Sequence, residues 1–178
     1  MTPGSELDPI LDEIASERVA PAGGSAAAKV GAIAASLAEM AAIHTLRGEP
    51  GNDQTQLAAG RRSLNDIRAL LVGLSDADAR IVDAAFGDSS SEVTPHTAQK
   101  LVGVPLAIAE ACLVVRAESR KLVSSVSASV IQDLRTAITL VTGALRASME
   151  TARANLNLVE GPTRDRLAEQ VADTASID

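Results

Sequence analysis

The sequence predicts an all-helical, up-and-down bundle. Every long segment carries apolar residues at helical spacing, and none keeps the alternation of a strand. The breaks between segments are short and marked by Gly, Pro and Ser, as expected for antiparallel helices joined by tight connections. With 178 residues, the chain suits one domain, 1–178, with length enough to bury a real core. Apolar residues make up 46% of it, and Phe86 is its only Phe, Trp or Tyr. Small aliphatics predict closely packed helices, and a flat ligand must be held without aromatic stacking.

A short first helix is built on Leu7, Ile10, Leu11 and Ile14, with Asp8-Pro9 near its start. The second runs from about Ser25 to Leu46, with Val30, Ile33, Leu37, Met40 and His44 as its seam, and ends at Gly48-Glu49-Pro50-Gly51. A third, from Gln54 to Phe86, aligns Leu57, Leu64, Ile67, Leu71, Leu74, Asp78, Ile81 and Ala85. After the polar loop Gly87-Asp88-Ser89-Ser90-Ser91, Thr94-Pro95 opens a fourth helix whose face is Leu101, Val104, Ile108, Cys112, Val115, Ser119 and Leu122. Pro105 inside it removes a hydrogen bond and predicts a kink or local break.

The hydroxyl-rich stretch 124–129 predicts a break. A fifth helix follows, with Val130, Leu134, Ile138, Val141, Leu145, Met149 and Ala152 in line and a second row of Val130, Asp133, Ala137, Leu140 and Ala144. Gly161-Pro162 precedes a charged last helix, with 173–178 expected to fray. Apolar surface this wide on the third to fifth helices predicts one face inside the subunit and one against a partner, hence a homodimer or larger oligomer.

A net charge of −7 argues against nucleic acid as the main partner. Cys112 is the only cysteine and sits in an apolar run, which predicts a buried small hydrophobe and a reducing compartment. No basic-then-apolar leader and no run of about 18 apolar residues is read, so the expectation is a soluble cytoplasmic protein without a membrane partner. Two histidines are too few for a typical transition-metal site, and no metal is expected.

Polar residues on apolar seams are the candidates for chemistry. Gly23-Gly24 leave no side chain over the first turn of the second helix, whose amides lack intrahelical partners and can receive an anionic or carbonyl oxygen. Ser25 is placed to cap that helix or to offer its hydroxyl to a ligand. Asp78 interrupts the third seam. Burying a carboxylate is expensive unless it is paired, so it is either an ion-pair partner of Arg47, Arg61 or Arg116 or a general acid/base. Asp133 poses the same question, or serves the dipole of its own helix. His44 is either a packed histidine or a proton carrier.

Together these segments resemble a known family. Pro21-Ala22-Gly23-Gly24-Ser25-Ala26-Ala27-Ala28, with Gly31 through Met40 and Thr45, is similar to its Pro-Gly-Gly-Gly-Ser signature and the small-residue helix behind it. Leu74-Ser75-Asp76-Ala77-Asp78-Ala79, followed by Asp83-Ala84, resembles its Asp-x-Asp-Ala segment. Val104-Pro105-Leu106 resembles its Val-Pro-Leu kink, and Gly143-Ala144 its last Gly-Ala. The family is the cyclodeaminase/cyclohydrolase group: the cyclodeaminase domain of formiminotransferase-cyclodeaminase and the stand-alone methenyltetrahydrofolate cyclohydrolases. The resemblance covers about 11–158.

It implies a dimeric helical fold with a folate-like ligand in an interface cleft and no prosthetic group. The reaction it implies is either loss of ammonia from 5-formimino-tetrahydrofolate or hydrolytic opening of 5,10-methenyl-tetrahydrofolate. It assigns Gly23, Gly24 and Ser25 to ligand contacts and Asp78 to proton transfer, with Asp133 as a second acid. Arg47 falls near the family's basic position and would hold a glutamate tail; His44 lies beside it. The chain departs from the pattern at Ala22, at Ala128-Ser129 where the family has an acid, and at Ala147 and Thr151 where it has asparagines. A diverged relative acting on another small molecule and a non-catalytic helical interaction module remain as alternatives.

Overall fold

The computed structural model describes residues 8–48, 53–88 and 92–177. It comprises α1 (Asp8–Ile14), α2 (Gly23–Arg47), α3 (Gln54–Phe86), α4 (Pro95–Leu122), α5 (Ile131–Asn155) and α6 (Gly161–Ser176), with a 3-10 turn at Leu156–Leu158. Among the described residues there is no strand, as the periodicity predicts. Leu7, 49–52, 89–91 and Asp178, invoked in the sequence reading, lie outside the described residues.

Four helices form the bundle in the order α2, α3, α4, α5 around it, with α5 closing back on α2 and α6 lying against α4 and α5. Each neighbour is antiparallel: Ser25 meets Asp78, Gln56 meets Lys121, Asn155 meets Leu101 and Ser127 meets Thr45. On α3 the predicted seam is the buried face, with Leu57, Leu64, Leu71, Asp78 and Ala85 repeating every two turns. The seams of α4 and α5 likewise supply the core through Ile108, Cys112, Val115, Leu134, Val141 and Leu145.

The predicted seam of α2 is not its most buried face. Its buried residues are Ala28, Gly31, Ala35, Ala38, Ala42 and their neighbours, whereas Ile33 is 50% exposed and His44 is exposed. Small residues let the backbones approach; a Cβ on Gly31 would lie 2.9 Å from Cys112 Sγ. Of the larger seam residues, Ile33 therefore ends on the outside, while Val30 and Leu37 are half-buried against the core. α1 differs too: Leu11 and Ile14 are exposed, so it is not an amphipathic core helix. α6 continues to Ser176 rather than fraying from 173.

α4 runs through Pro105 as one helix. Proline removes the N–H that would have reached the carbonyl of Leu101, and Asn155 Nδ2 donates to that carbonyl at 2.6 Å instead. The orphan acceptor is satisfied, so no break is needed. By length and composition α2 and α4 would each suffice to cross a bilayer, with mean hydropathies of 1.5 and 1.6, against the expectation of no such run. Both are core helices of the bundle, and about half of each apolar stretch is buried in it.

Candidate active site

Asp78 is carried by α3 into the first turn of α2. The start of α2 has no side-chain cap of its own, because its N-cap is Ala22. Asp78 supplies the missing acceptor across the bundle: Ser25 donates to it through both its backbone N–H and its Oγ, the latter at 2.8 Å. One turn earlier on α3, Ser75 Oγ donates to the Ser25 carbonyl at 3.1 Å. Ser25 is thus clamped to α3 at its amide, hydroxyl and carbonyl.

The glycine motif follows from this geometry. A Cβ on Gly24 would stand 2.7 Å from Asp78 Cγ and 2.8 Å from Oδ2, so only glycine admits the carboxylate. Gly23 has open space around it. Ala22 takes an ordinary extended conformation (φ −115°, ψ −164°), so a side chain there is tolerated. Ser25 does not cap its helix, whose N-cap is Ala22; its hydroxyl goes to Asp78.

Asp78 is 4% exposed. Burial raises its pKa above the usual carboxylate value, outweighing the hydrogen bonds from Ser25 that lower it. The ion pair weighed from the sequence does not form: Arg61 meets Glu39 at 3.9 Å, Arg116 Nη2 donates to the Ile177 carbonyl at 2.9 Å, and Arg47 is exposed at the far end of α2.

Two cavities flank this knot. One, of about 320 Å³, opens beside Pro21, Lys29, Ser75 and Arg80. The other is an apolar groove of about 390 Å³ between α2 and α5, bounded by Gly23, Val30, Leu140, Gly143 and Ala147. Gly23, Gly24, Ser25 and Asp78 come together in the chain, and His44, Arg47 and Asp133 do not join them. At about 1.5 Å per residue, Arg47 lies about 35 Å along α2 from Gly24, and Asp133 lies about 15 Å along α5 from Gly143. Lys29 escaped the sequence reading, and Ser75 enters it only as part of the Asp-x-Asp-Ala segment, with no role of its own. Lys29 stands alone among alanines, like a solvated residue, yet it follows Ser25 by one turn and shares its face.

An all-helical bundle that buries one carboxylate against a glycine-opened helix start is the class of protein these features define. The formiminotransferase-cyclodeaminase family model matches residues 6–174, and the chain belongs to that family. Among solved structures it is similar to the formiminotetrahydrofolate cyclodeaminase of Thermotoga maritima, with 21% identity and a TM-score of 0.87 over 96% of this chain and 88% of that one. No curated protein sequence matches the chain on direct comparison.

Proposed function

We propose that the protein is a folate one-carbon enzyme of the formiminotetrahydrofolate cyclodeaminase or methenyltetrahydrofolate cyclohydrolase type. The observation that carries this reading is Asp78, buried and clamped by Ser25 over Gly24, in a chain that matches the family over nearly its whole length. A carboxyl with a raised pKa exchanges protons closer to neutral pH, which suits a general acid/base.

In the cyclohydrolase form, water adds to the carbon bridging N5 and N10 while Asp78 accepts its proton. The adduct collapses to a formyl group on N10 as the bond to N5 breaks and N5 takes a proton. In the cyclodeaminase form, N10 gives its proton to Asp78 and bonds to the formimino carbon. Ammonia then leaves with that proton and one from solvent. The amides of Gly23 and Gly24, which have no intrahelical acceptor at the start of α2, offer partial positive charge where negative charge develops. No prosthetic group enters either route, and the reading sets the enzyme in the cytoplasm, where Cys112 stays reduced.

The apolar face of α2 and α5, with Ile33 50% exposed and the groove at Gly143 and Ala147, supports a homodimer. Asp133, His44 and Arg47 enter the site only if a second copy brings them. A second reading, a diverged relative acting on another small molecule, is favoured by the missing acid at Ala128-Ser129 and the missing asparagines at Ala147 and Thr151.

The test is to follow ring opening of 5,10-methenyl-tetrahydrofolate and ammonia release from 5-formimino-tetrahydrofolate. Wild type should exceed buffer in one of them, and Asp78→Asn should lose about 10²–10⁴-fold. Rates equal to buffer in both would sink the folate reading; an unaffected Asp78→Asn would remove the role of that carboxylate.

A further inference from the structure

The cavity beside Pro21 contains a cation that the family reading leaves unused. Lys29 Nζ donates to Ser75 Oγ at 2.9 Å, and Ser75 passes the chain on to the Ser25 carbonyl. An ammonium has three donors; among the described residues only this one is used, and Lys29 has no ion-pair partner there. The chain ends on a carbonyl, which takes no part in proton transfer, so it positions the ammonium rather than conducting protons to Asp78.

The other charges of the cavity are placed differently. Arg18 is paired with Glu13 at 3.2 Å, while Asp76, Arg80 and Asp83 are exposed. Lys29 is the one charged group there that is partly buried, so it is the least screened by water and salt. Its location matters as much. A ligand whose reacting ring lies at Asp78 has its other end within reach of a residue one turn past Ser25, but not of Arg47 in the same subunit, about 35 Å along the helix.

We propose that Lys29, fixed by Ser75, is the anchor for a carboxylate of the ligand, the role the sequence resemblance assigns to Arg47. This rests on the folate reading above and names the end of the ligand that the cavity receives: its glutamate carboxylates, with Arg80 as a second cation at the mouth. Lys29 is then a specificity residue. It favours anionic tails and leaves the ring chemistry to Asp78.

The experiment is calorimetric titration with 5-formyl-tetrahydrofolate and with its diamide, in which both glutamate carboxylates are neutral. Wild type should prefer the acid. Lys29→Met should weaken the acid about tenfold or more while changing the diamide little, and Lys29→Arg should recover most of the loss. Equal weakening of both ligands would make Lys29 a structural pin for Ser75 and overturn the proposal. It is also overturned if Arg47→Met, rather than Lys29→Met, removes the preference for the acid. If wild type binds neither ligand, the folate reading falls and the anchor falls with it, whereas binding of both with equal losses sinks the anchor alone.

Discussion

Gly24→Ala tests the site at its tightest contact. The added methyl would lie 2.7 Å from Asp78 Cγ, well inside van der Waals contact, and the carboxylate can retreat only by giving up Ser25 N–H and Oγ. Overpacking of this kind costs about 1–3 kcal/mol, partly offset by at most ~1 kcal/mol from replacing a helical glycine. Gly73→Ala is the control: it sits on the exposed side of α3 with nothing within 4 Å and should gain up to ~1 kcal/mol. The helix gain is common to both, so urea unfolding followed by helical circular dichroism should separate the two variants by the overpacking cost, about 1–3 kcal/mol, at similar m-values. In an Asp78→Ala background the penalty of Gly24→Ala should largely vanish, because the obstructing atoms are gone. A Gly24→Ala protein as stable as Gly73→Ala, or a penalty unchanged by Asp78→Ala, would refute the close-approach explanation of the glycine.

Asp78→Asn should be more stable than wild type near neutral pH. The folded pKa of Asp78 is raised by burial, so its contribution to stability is fully present below the unfolded value and lost as pH rises through the folded one. The stability difference between the variant and wild type should grow from the ordinary carboxylate pKa of about 3.8 upward and then level off, and urea melts across pH read it directly. Asn155→Ala leaves the Leu101 carbonyl without its donor and should cost about 1–3 kcal/mol in the same melts. Ala147→Glu sets a charge on the groove facing α2; sedimentation should show a dimeric wild type and a monomeric variant, and a dimeric variant would move the interface elsewhere.

The fold was legible wherever one face of a helix alone is apolar and large. On α3 Leu57, Leu64 and Leu71 mark the inside, and Asp78 could be placed in line with them from the pattern. On α2 the same rule fails, because hydrophobicity does not say which of two apolar faces turns inward. Val30, Ile33 and Leu37 form the more conspicuous row, but alanines and glycines allow the closer approach to α3 and α5, so they take the interior. At Pro105 the sequence predicts a kink or local break, because the donor that rescues the Leu101 carbonyl comes from Asn155, about fifty residues away. The site divides in the same way. Gly24, Ser25 and Asp78 could be singled out on the chain, whereas Lys29 and Ser75 gain meaning only from the antiparallel pairing of α2 with α3 that brings them to 2.9 Å.

That pairing also explains why the carboxylate and the glycine belong to one device. α2 begins on Ala22, which caps nothing, and the residue that caps it comes from α3. Had capping been the only requirement, a Ser or Asp at position 22 would supply it at the surface with no buried charge. Asp78 instead accepts the amide from inside, where desolvation works against its charge. Gly24 gives up its side chain to admit it, and three polar contacts are spent on Ser25. A helix start more expensive than stability requires, lying between two cavities, fits the proposed role of Asp78 as a proton-exchanging carboxyl: a fixed position, a raised pKa and, in Lys29, the proposed neighbouring anchor. The cost in stability should therefore be recoverable by Asp78→Asn only together with the loss of turnover, and a variant that gained stability while keeping its rate would break the link.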